Sequence, residues 1–202
     1  MLRGGVAAWQ FCYNSAVVVN ILFATRTLAL SAQNVGLSYM CLGIGTVFAS
    51  LVGGHLSRRI GPGSCVALGF GLCSCGWLML AAAPADLRGI AVFDVDLTLL
   101  GTGAVLIFVN FISLRQAVTP AAMLGRMTST MRWLILVPAG PGALVGGWPG
   151  EHAGLRASFG FAGVGGMVLT FAAWRSPLLR AVRTLPVLAE PDEDPAVGPT
   201  WP

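Results

Sequence analysis

The segment LVGGHLSRRIG, from Leu51 to Gly61, is an apolar run with paired glycines that ends in two adjacent arginines. A second segment, LVGGWPGEHAG from Leu144 to Gly154, repeats its first four residues and its closing glycine. Glu151 and His152 take the place of the arginine pair. Apolar residues followed by charge and glycine are typical of a helix that ends at a surface. The sequence therefore predicts the same helix ending twice, with opposite charge.

The composition of the chain excludes a water-soluble fold. Of its 202 residues, 55% are hydrophobic and 10% are charged, and the mean hydropathy is +0.78. A soluble domain carries about 25% charged residues. The 12 basic residues are all arginines, which lie singly or in pairs between apolar runs. This spacing indicates membrane topology, and we expect a lipid bilayer rather than nucleic acid as the partner.

Six apolar runs match the roughly 20 residues that an α-helix needs to cross the hydrocarbon core of a bilayer. Their approximate limits are 5–25, 36–56, 63–83, 90–114, 131–148 and 155–174. The sequence therefore predicts an all-α membrane protein with a six-helix transmembrane bundle over residues 1–183. Residues 184–202 are rich in proline and contain four clustered acids. That composition predicts a disordered tail.

The distribution of arginines predicts the orientation of these spans. Six spans place both termini on one side, which receives nine arginines, whereas the opposite side receives three. Because cytoplasmic loops carry an excess of basic residues, both termini and the tail are expected to be cytoplasmic. We expect a multi-pass protein of the cell membrane, meaning the plasma or inner membrane.

The two related segments predict an inverted repeat. The arginine pair would end the second helix at the cytoplasmic surface, and Glu151 would end the fifth helix at the outer surface. Related helices of opposite direction are expected from a 3+3 inverted repeat, the organisation found within each half of many secondary transporters. Chance similarity between two glycine-rich segments is the alternative.

Two motifs resemble the major facilitator superfamily of transporters. GGHLSRRIG is similar to its G-x-x-x-D-R-x-G loop signature: Gly54, Arg59 and Gly61 match, and Arg58 replaces the usual acid. NFISLRQAVTPAAMLGRMTSTMRWLILVPAGPGALVGG, residues 110–147, resembles the segment that joins the tenth and eleventh helices in enterobactin-exporter-like and macrolide-efflux-like members. The residues that carry this second likeness are Asn110, Arg115, Gln116, Pro120, Gly125 and Arg126.

The resemblance covers the six helices and implies the carboxy-terminal half of a twelve-helix protein. It implies a drug:proton antiporter that exports a small amphipathic compound, drug-like or siderophore-like, by alternating access. A six-helix half would need a second six-helix half or a second copy of itself as partner. The loops around Arg58 and Arg115 would act as latches or as topology determinants. The alternative is a truncated half-protein or membrane scaffold that does not transport.

Polar side chains in the first helix are candidates for a substrate cavity. Gln10, Tyr13, Asn14 and Asn20 fall within an arc of about 120° at 100° per residue. The first helix of each half lines the cavity in the resembled superfamily, and Asn110 belongs to the resembled segment. The alternative is a set of interhelical hydrogen bonds that holds the bundle together.

Asp94 and Asp96 are candidates for proton coupling, because burial in an apolar medium favours the neutral form of a carboxyl group. Both lie near the outer end of the predicted fourth helix, where an acid can also simply reach outer water. Asp94 shares one helix face with Thr98 and Thr102 at a spacing of four residues.

Small residues and prolines predict close packing and a bend. Gly45, Ala49 and Gly53, and likewise Gly142 and Gly146, are spaced to let helix backbones approach. Pro138 and Pro141 flank Gly140 in the predicted fifth helix, where they would interrupt the hydrogen-bond ladder near its middle.

No residue pattern points to an enzyme, a metal or another cofactor. An intramembrane serine protease needs a serine and a histidine on neighbouring helices within the membrane. Ser64 lies at a helix start, and His55 and His152 lie at span ends. The Cys73-Ser-Cys75 pair lacks a second pair of ligands, so its cysteines are expected to be small apolar filler.

Overall fold

A computed structural model describes residues 2–118, 133 and 136–175 of the chain. The described residues form helices and no strand. The helices are α1 (Leu2–Leu22), α2 (Ala32–Ile60), α3 (Pro62–Ala82), α4 (Leu87–Val118), α5 (Ala139–His152) and α6 (Leu155–Arg175). A π-helical turn, Phe23–Thr27, continues α1. Five segments are long and apolar enough to cross a membrane, and α5, with 14 residues, is shorter. This architecture indicates a multi-pass membrane protein.

The helix ends have local causes in the sequence. Ser31 caps α2 by accepting a hydrogen bond from the backbone N–H of Asn34. The carboxylate of Asp86 caps α4 by accepting from the backbone N–H groups of Arg88 and Gly89, at 2.9 and 3.2 Å. These caps supply acceptors for N–H groups that the first turn of a helix leaves unpaired.

The two repeated segments both end at a glycine with a positive φ. Gly61, which follows α2, has a φ of 84°, and Gly154, which follows α5, has a φ of 90°. A side chain makes such φ angles unfavourable, so glycine suits both positions. The two endings are not identical, because Gly61 is itself the C-cap of α2 whereas Ala153, one residue before Gly154, is the C-cap of α5.

The observed helices extend beyond several predicted spans. Helix α2 begins four residues before the predicted limit of 36 and ends four residues after the limit of 56. Its additional turns carry polar and charged residues, which hydropathy alone does not count as membrane-spanning. For the fifth span, predicted at 131–148, the described helix begins at Ala139 and continues to His152. The predicted tail, 184–202, lies outside the described residues.

The helices pack in the order α2, α4, α3, α6, α1, α5, each against the next. Helix α4 is held between α2 and α3, and α1 between α5 and α6. Small residues allow the approach, as their spacing predicts: Gly45 lies against the Thr98 carbonyl, and Gly142 lies against the backbone of Phe11. Large aromatic side chains fill the centre, among them Phe23, Trp77, Phe93 and Phe159.

Candidate functional site

An enclosed carboxyl group, Asp96, lies at the centre of the bundle. Its side chain on α4 is 0% exposed, and its Oδ2 accepts a hydrogen bond of 3.5 Å from Nδ2 of Asn20 on α1, which is 2% exposed. Gly76 on α3 makes room for it, since a Cβ at that position would overlap Oδ1 of Asp96. Among the described residues, neither Oδ1 of Asp96 nor Oδ1 of Asn20 has a hydrogen-bond partner.

Two titratable side chains on the neighbouring helices interact with Asp96, and an aromatic pair lies in the same core. Tyr39 on α2 and Cys73 on α3 lie within electrostatic range of Asp96. Trp77 on α3 is fully buried, and its ring contacts Tyr13 edge-on with a centroid distance of 6.2 Å. Within the described part of the chain, Nε1 of Trp77 also has no hydrogen-bond partner. Groups on α1, α2 and α3 thus interact with Asp96 on α4.

The two acids of α4 differ in environment. Asp96 lies nine residues after Leu87, the first residue of α4, which is about 14 Å along the helix at 1.5 Å per residue. The alternative that Asp96 reaches outer water does not fit this structure, because the helix begins earlier than predicted and its neighbours cover the carboxyl group. Asp94 as a whole is partly buried, although its Oδ1 is buried and has no hydrogen-bond partner among the described residues. Its face packs toward α2, where Thr102 Oγ1 lies within hydrogen-bond distance of the carbonyls of Thr98 and Gly45.

The predicted polar stripe of α1 is divided between different partners. Asn20 reaches Asp96, and Tyr13 packs against Trp77 in the core. Asn14 donates to the backbone carbonyl of Gln10 in its own helix, at 2.7 Å. Gln10 and Asn14 are partly buried. The stripe thus contributes one side chain, Asn20, to a polar contact between helices.

Asn110 lies apart from the stripe. It is buried on α4, 14 residues after Asp96, or about 21 Å along the helix. Its Oδ1 accepts from Ser57 Oγ on α2 at 2.6 Å, and its Nδ2 donates to the carbonyl of Leu106. The structure does not bring Asn110 together with Gln10, Tyr13 or Asn14. Instead, the side chain of Asn110 forms a hydrogen bond that links α2 and α4.

The residues of the predicted loop motif lie at helix ends where they are described. Gly54, Arg58 and Arg59 are exposed on α2, before Gly61. Arg115 and Gln116 belong to the last turns of α4. Gly125 and Arg126, together with Pro120, lie outside the described residues.

The predicted helix bend lies at a helix start. Pro138 is the N-cap of α5, and Gly140 and Pro141 belong to its first turn. Proline is tolerated there, because the first N–H groups of a helix have no partner within the helix. Trp133 and Leu136 are also helical, and Val137 and Pro138 form a turn between them and α5. The helix is therefore interrupted within the predicted span 131–148, at the first of the two prolines.

Sequence reasoning missed several residues that hold the bundle. Ser15 on α1 places Oγ 2.7 Å from the carbonyl of Gly142 on α5, and Ser158 on α6 donates to Gly146 at 2.6 Å. Gly76, Tyr39 and Trp77 were not singled out either. For Ser15, Ser158 and Tyr39, the sequence signal was a single polar side chain within an apolar run, which could have indicated a contact between helices. No cluster of three metal-ligating side chains occurs in the described part of the chain.

Comparison of the sequence with models of known protein families, and with curated proteins, finds no match.

Proposed function

We propose that the chain is a six-helix half of a major-facilitator-type transporter, which exports a small amphipathic compound by alternating access and is driven by protons. The observation that supports this proposal is Asp96, a fully enclosed acid bonded to Asn20 within a bundle of membrane-length helices. Charged groups are rare in such positions because an unpaired buried charge is costly.

Asp96 has the surroundings of a proton carrier. Its side-chain hydrogen-bond partner among the described residues is the neutral amide of Asn20, so the neutral acid is the form that suits an apolar interior. The ionised form would be favoured once a change of conformation admits water. Alternating access supplies such a change, and a carboxyl group between α1 and α4 would take up a proton on one side and release it on the other.

The packing supports a 3+3 inverted repeat as part of this proposal. Helix α4 packs on α2 and α3, as α1 packs on α5 and α6. This is the pattern expected if an axis exchanges the first three helices with the last three. The first residues of the two repeated segments are equally exposed: Leu51 is 78% exposed and Leu144 77% exposed.

The glycines that follow these leucines behave alike as well. Gly53 faces α4 and Gly146 faces α1, whereas Gly54 and Gly147 have open space around them. Two helices with the same register toward their neighbours are easier to explain by duplication than by chance similarity.

Exposed apolar residues on α2 and α5 support a partner of the same kind. The exposed side of α2 carries a stripe of large apolar side chains, namely Leu37, Met40, Ile44, Val47, Phe48 and Leu51. We assign this face and the exposed side of α5 to a second six-helix half or a second copy, with lipid around the rest. The partly buried Gln10 and Asn14 would then line the space between halves.

The proposal is tested by proton-linked dye efflux from liposomes that contain the purified chain, alone and with a companion six-helix protein. Efflux that stops when the pH gradient is dissipated is the expected result. Asp96→Asn should abolish this dependence, because an amide cannot carry the proton. Asp94→Asn, two residues earlier on the same helix, is the matched control and should retain most of the dependence on the pH gradient.

Two outcomes contradict the proposal. If both asparagine variants keep proton-driven efflux intact, neither acid couples protons. A folded chain that is inactive in every combination would instead favour a truncated half-protein or membrane scaffold.

A further inference from the structure

The contact between Asn20 and Asp96 leaves one oxygen unpaired on each side. Nδ2 of Asn20 donates to Oδ2 of Asp96 at 3.5 Å, which is at the long limit for a hydrogen bond. Within the described residues, Oδ1 of Asn20 and Oδ1 of Asp96 have no partner. Buried polar atoms are usually paired, so two orphaned oxygens on one contact indicate that it has a second arrangement.

We propose that the Asn20 amide reverses its hydrogen-bonding role when Asp96 gains or loses a proton. An ionised carboxylate can only accept, and Nδ2 of Asn20 serves it as donor. A protonated Asp96 carries an O–H donor, for which Oδ1 of Asn20 is the acceptor on the same side chain. The exchange requires rotation of the amide group about its terminal torsion and no change of the backbone. The proton stays on the carboxyl group, and no covalent bond of Asn20 breaks.

The enclosure of the pair confines this exchange to the two side chains. Both are almost completely buried, so water does not replace either partner in this arrangement. The titratable groups that face Asp96 from the neighbouring helices are Tyr39 on α2 and Cys73 on α3. Tyr13 on α1 lies within electrostatic range of both of them. Tyrosine and cysteine are uncharged near neutral pH. The experiment must therefore distinguish the titration of Asp96 from that of Asp94, the other acid on α4.

The exchange makes Asn20 a positioning residue rather than a proton carrier. Asn20 lies on α1 three residues before the π-helical turn Phe23–Thr27. Such turns are frequent at functional sites, and this one allows local adjustment of the helix end. A change in the protonation state of Asp96 on α4 would thereby change the conformation of α1. Its use in transport rests on the proposed function, whereas the exchange itself does not.

Infrared difference spectroscopy of the full chain in lipid nanodiscs, with isotope-labelled asparagine side-chain carbonyls, tests the inference. The pH is varied across the range in which the protein stays folded. We expect the carbonyl band of one asparagine to shift with the same midpoint as the protonated-carboxyl band of Asp96. Both changes should vanish in Asp96→Asn and persist in Asp94→Asn.

Two leucine variants assign the band. Asn20→Leu should remove the shifting asparagine band, and Asn14→Leu, which alters the same helix away from Asp96, should leave it in place. The inference is overturned if the asparagine bands stay constant while Asp96 titrates, or if Asp96 does not titrate at all. If the asparagine and carboxyl bands shift together in a chain that does not transport, the inference is supported and the proposed function is contradicted.

Discussion

Gly69 on α3 and Gly103 on α4 lie backbone to backbone. A Cβ added to Gly103 would lie 2.7 Å from the carbonyl oxygen of Gly69, and a Cβ added to Gly69 would lie 2.7 Å from the carbonyl oxygen of Gly103. Each glycine thus makes room for the backbone of the other. Helices in a bilayer associate through such close packing, because lipid offers no hydrophobic driving force between them. The contact holds α3 closely against α4, the helix that carries Asp96.

A methyl group at this contact should separate the helices. We expect Gly103→Ala to lower the free energy of unfolding by about 1–3 kcal/mol, the usual cost of overpacking. Thermal unfolding in detergent micelles measures the effect. Gly43→Ala on α2, where a Cβ has nothing within 4 Å, is the control and should be neutral or stabilising. Equal stability of both variants would contradict the observed packing.

The repeated segments offer matched pairs of neighbouring glycines. Gly146→Ala should be destabilising, because a Cβ there meets the backbone of Ser15, whereas Gly147→Ala meets open space. Gly53→Ala should have a smaller effect than Gly146→Ala, since its Cβ would lie 3.3 Å from the flexible end of Leu106. The order of unfolding temperatures of these three variants checks the prediction. A reversed order would contradict the observed packing, because it would mean that other faces of α2 and α5 contact their neighbours.

The helix ending at Gly61 should depend on its backbone conformation. Its φ of 84° and ψ of 151° lie in a region that is essentially restricted to glycine. We expect Gly61→Ala to cost about 1–3 kcal/mol of stability, measured in the same micelles. Gly54→Ala, on the preceding turns of α2 in open space, controls for glycine replacement in general. A neutral Gly61→Ala would be incompatible with the left-handed conformation.

The hydrogen bond between Ser57 and Asn110 should stabilise the pair α2 and α4. A double-mutant cycle with Ser57→Ala and Asn110→Leu is expected to give a coupling energy of about 0.6 kcal/mol, and at most about 1.7 kcal/mol. Asn110→Leu should leave the substrate preference of efflux unchanged. A changed preference would instead return Asn110 to the substrate cavity, as its position in the sequence predicts.

The orientation in the membrane can be tested with single cysteines in a chain whose five native cysteines are replaced. Ala85 precedes α4 and Arg59 lies at the end of α2, and both are exposed. A membrane-impermeant maleimide should label Ala85→Cys in intact cells, and Arg59→Cys only after permeabilisation, because basic residues favour the cytoplasmic side. The opposite pattern would invert the proposed topology.

Hydropathy and charge were sufficient to predict the helices but not their rotation. Runs of about 20 apolar residues give the spans, but α2 and α5 each end four residues after the predicted limits of 56 and 148. The arc of polar residues on α1 could not reveal which side chain would meet another helix, since this depends on contacts 76 residues away, between Asn20 and Asp96. For the same reason the two acids looked equivalent in sequence. Gly76, which makes room for one of them, lies on a different helix.

The pairing of α1 with α5 and α6 has a consequence for biosynthesis. Ser15 finds its partner carbonyl on a residue made 127 positions later, a delay of roughly 6 to 25 s at about 5–20 residues per second of translation. During that time Ser15 lacks its partner on α5, although Asn20 gains Asp96 earlier, 76 positions after its own synthesis. Helix α1 therefore acquires its neighbours in steps, and cellular quality control of nascent membrane proteins would act on it before α5 emerges from the ribosome.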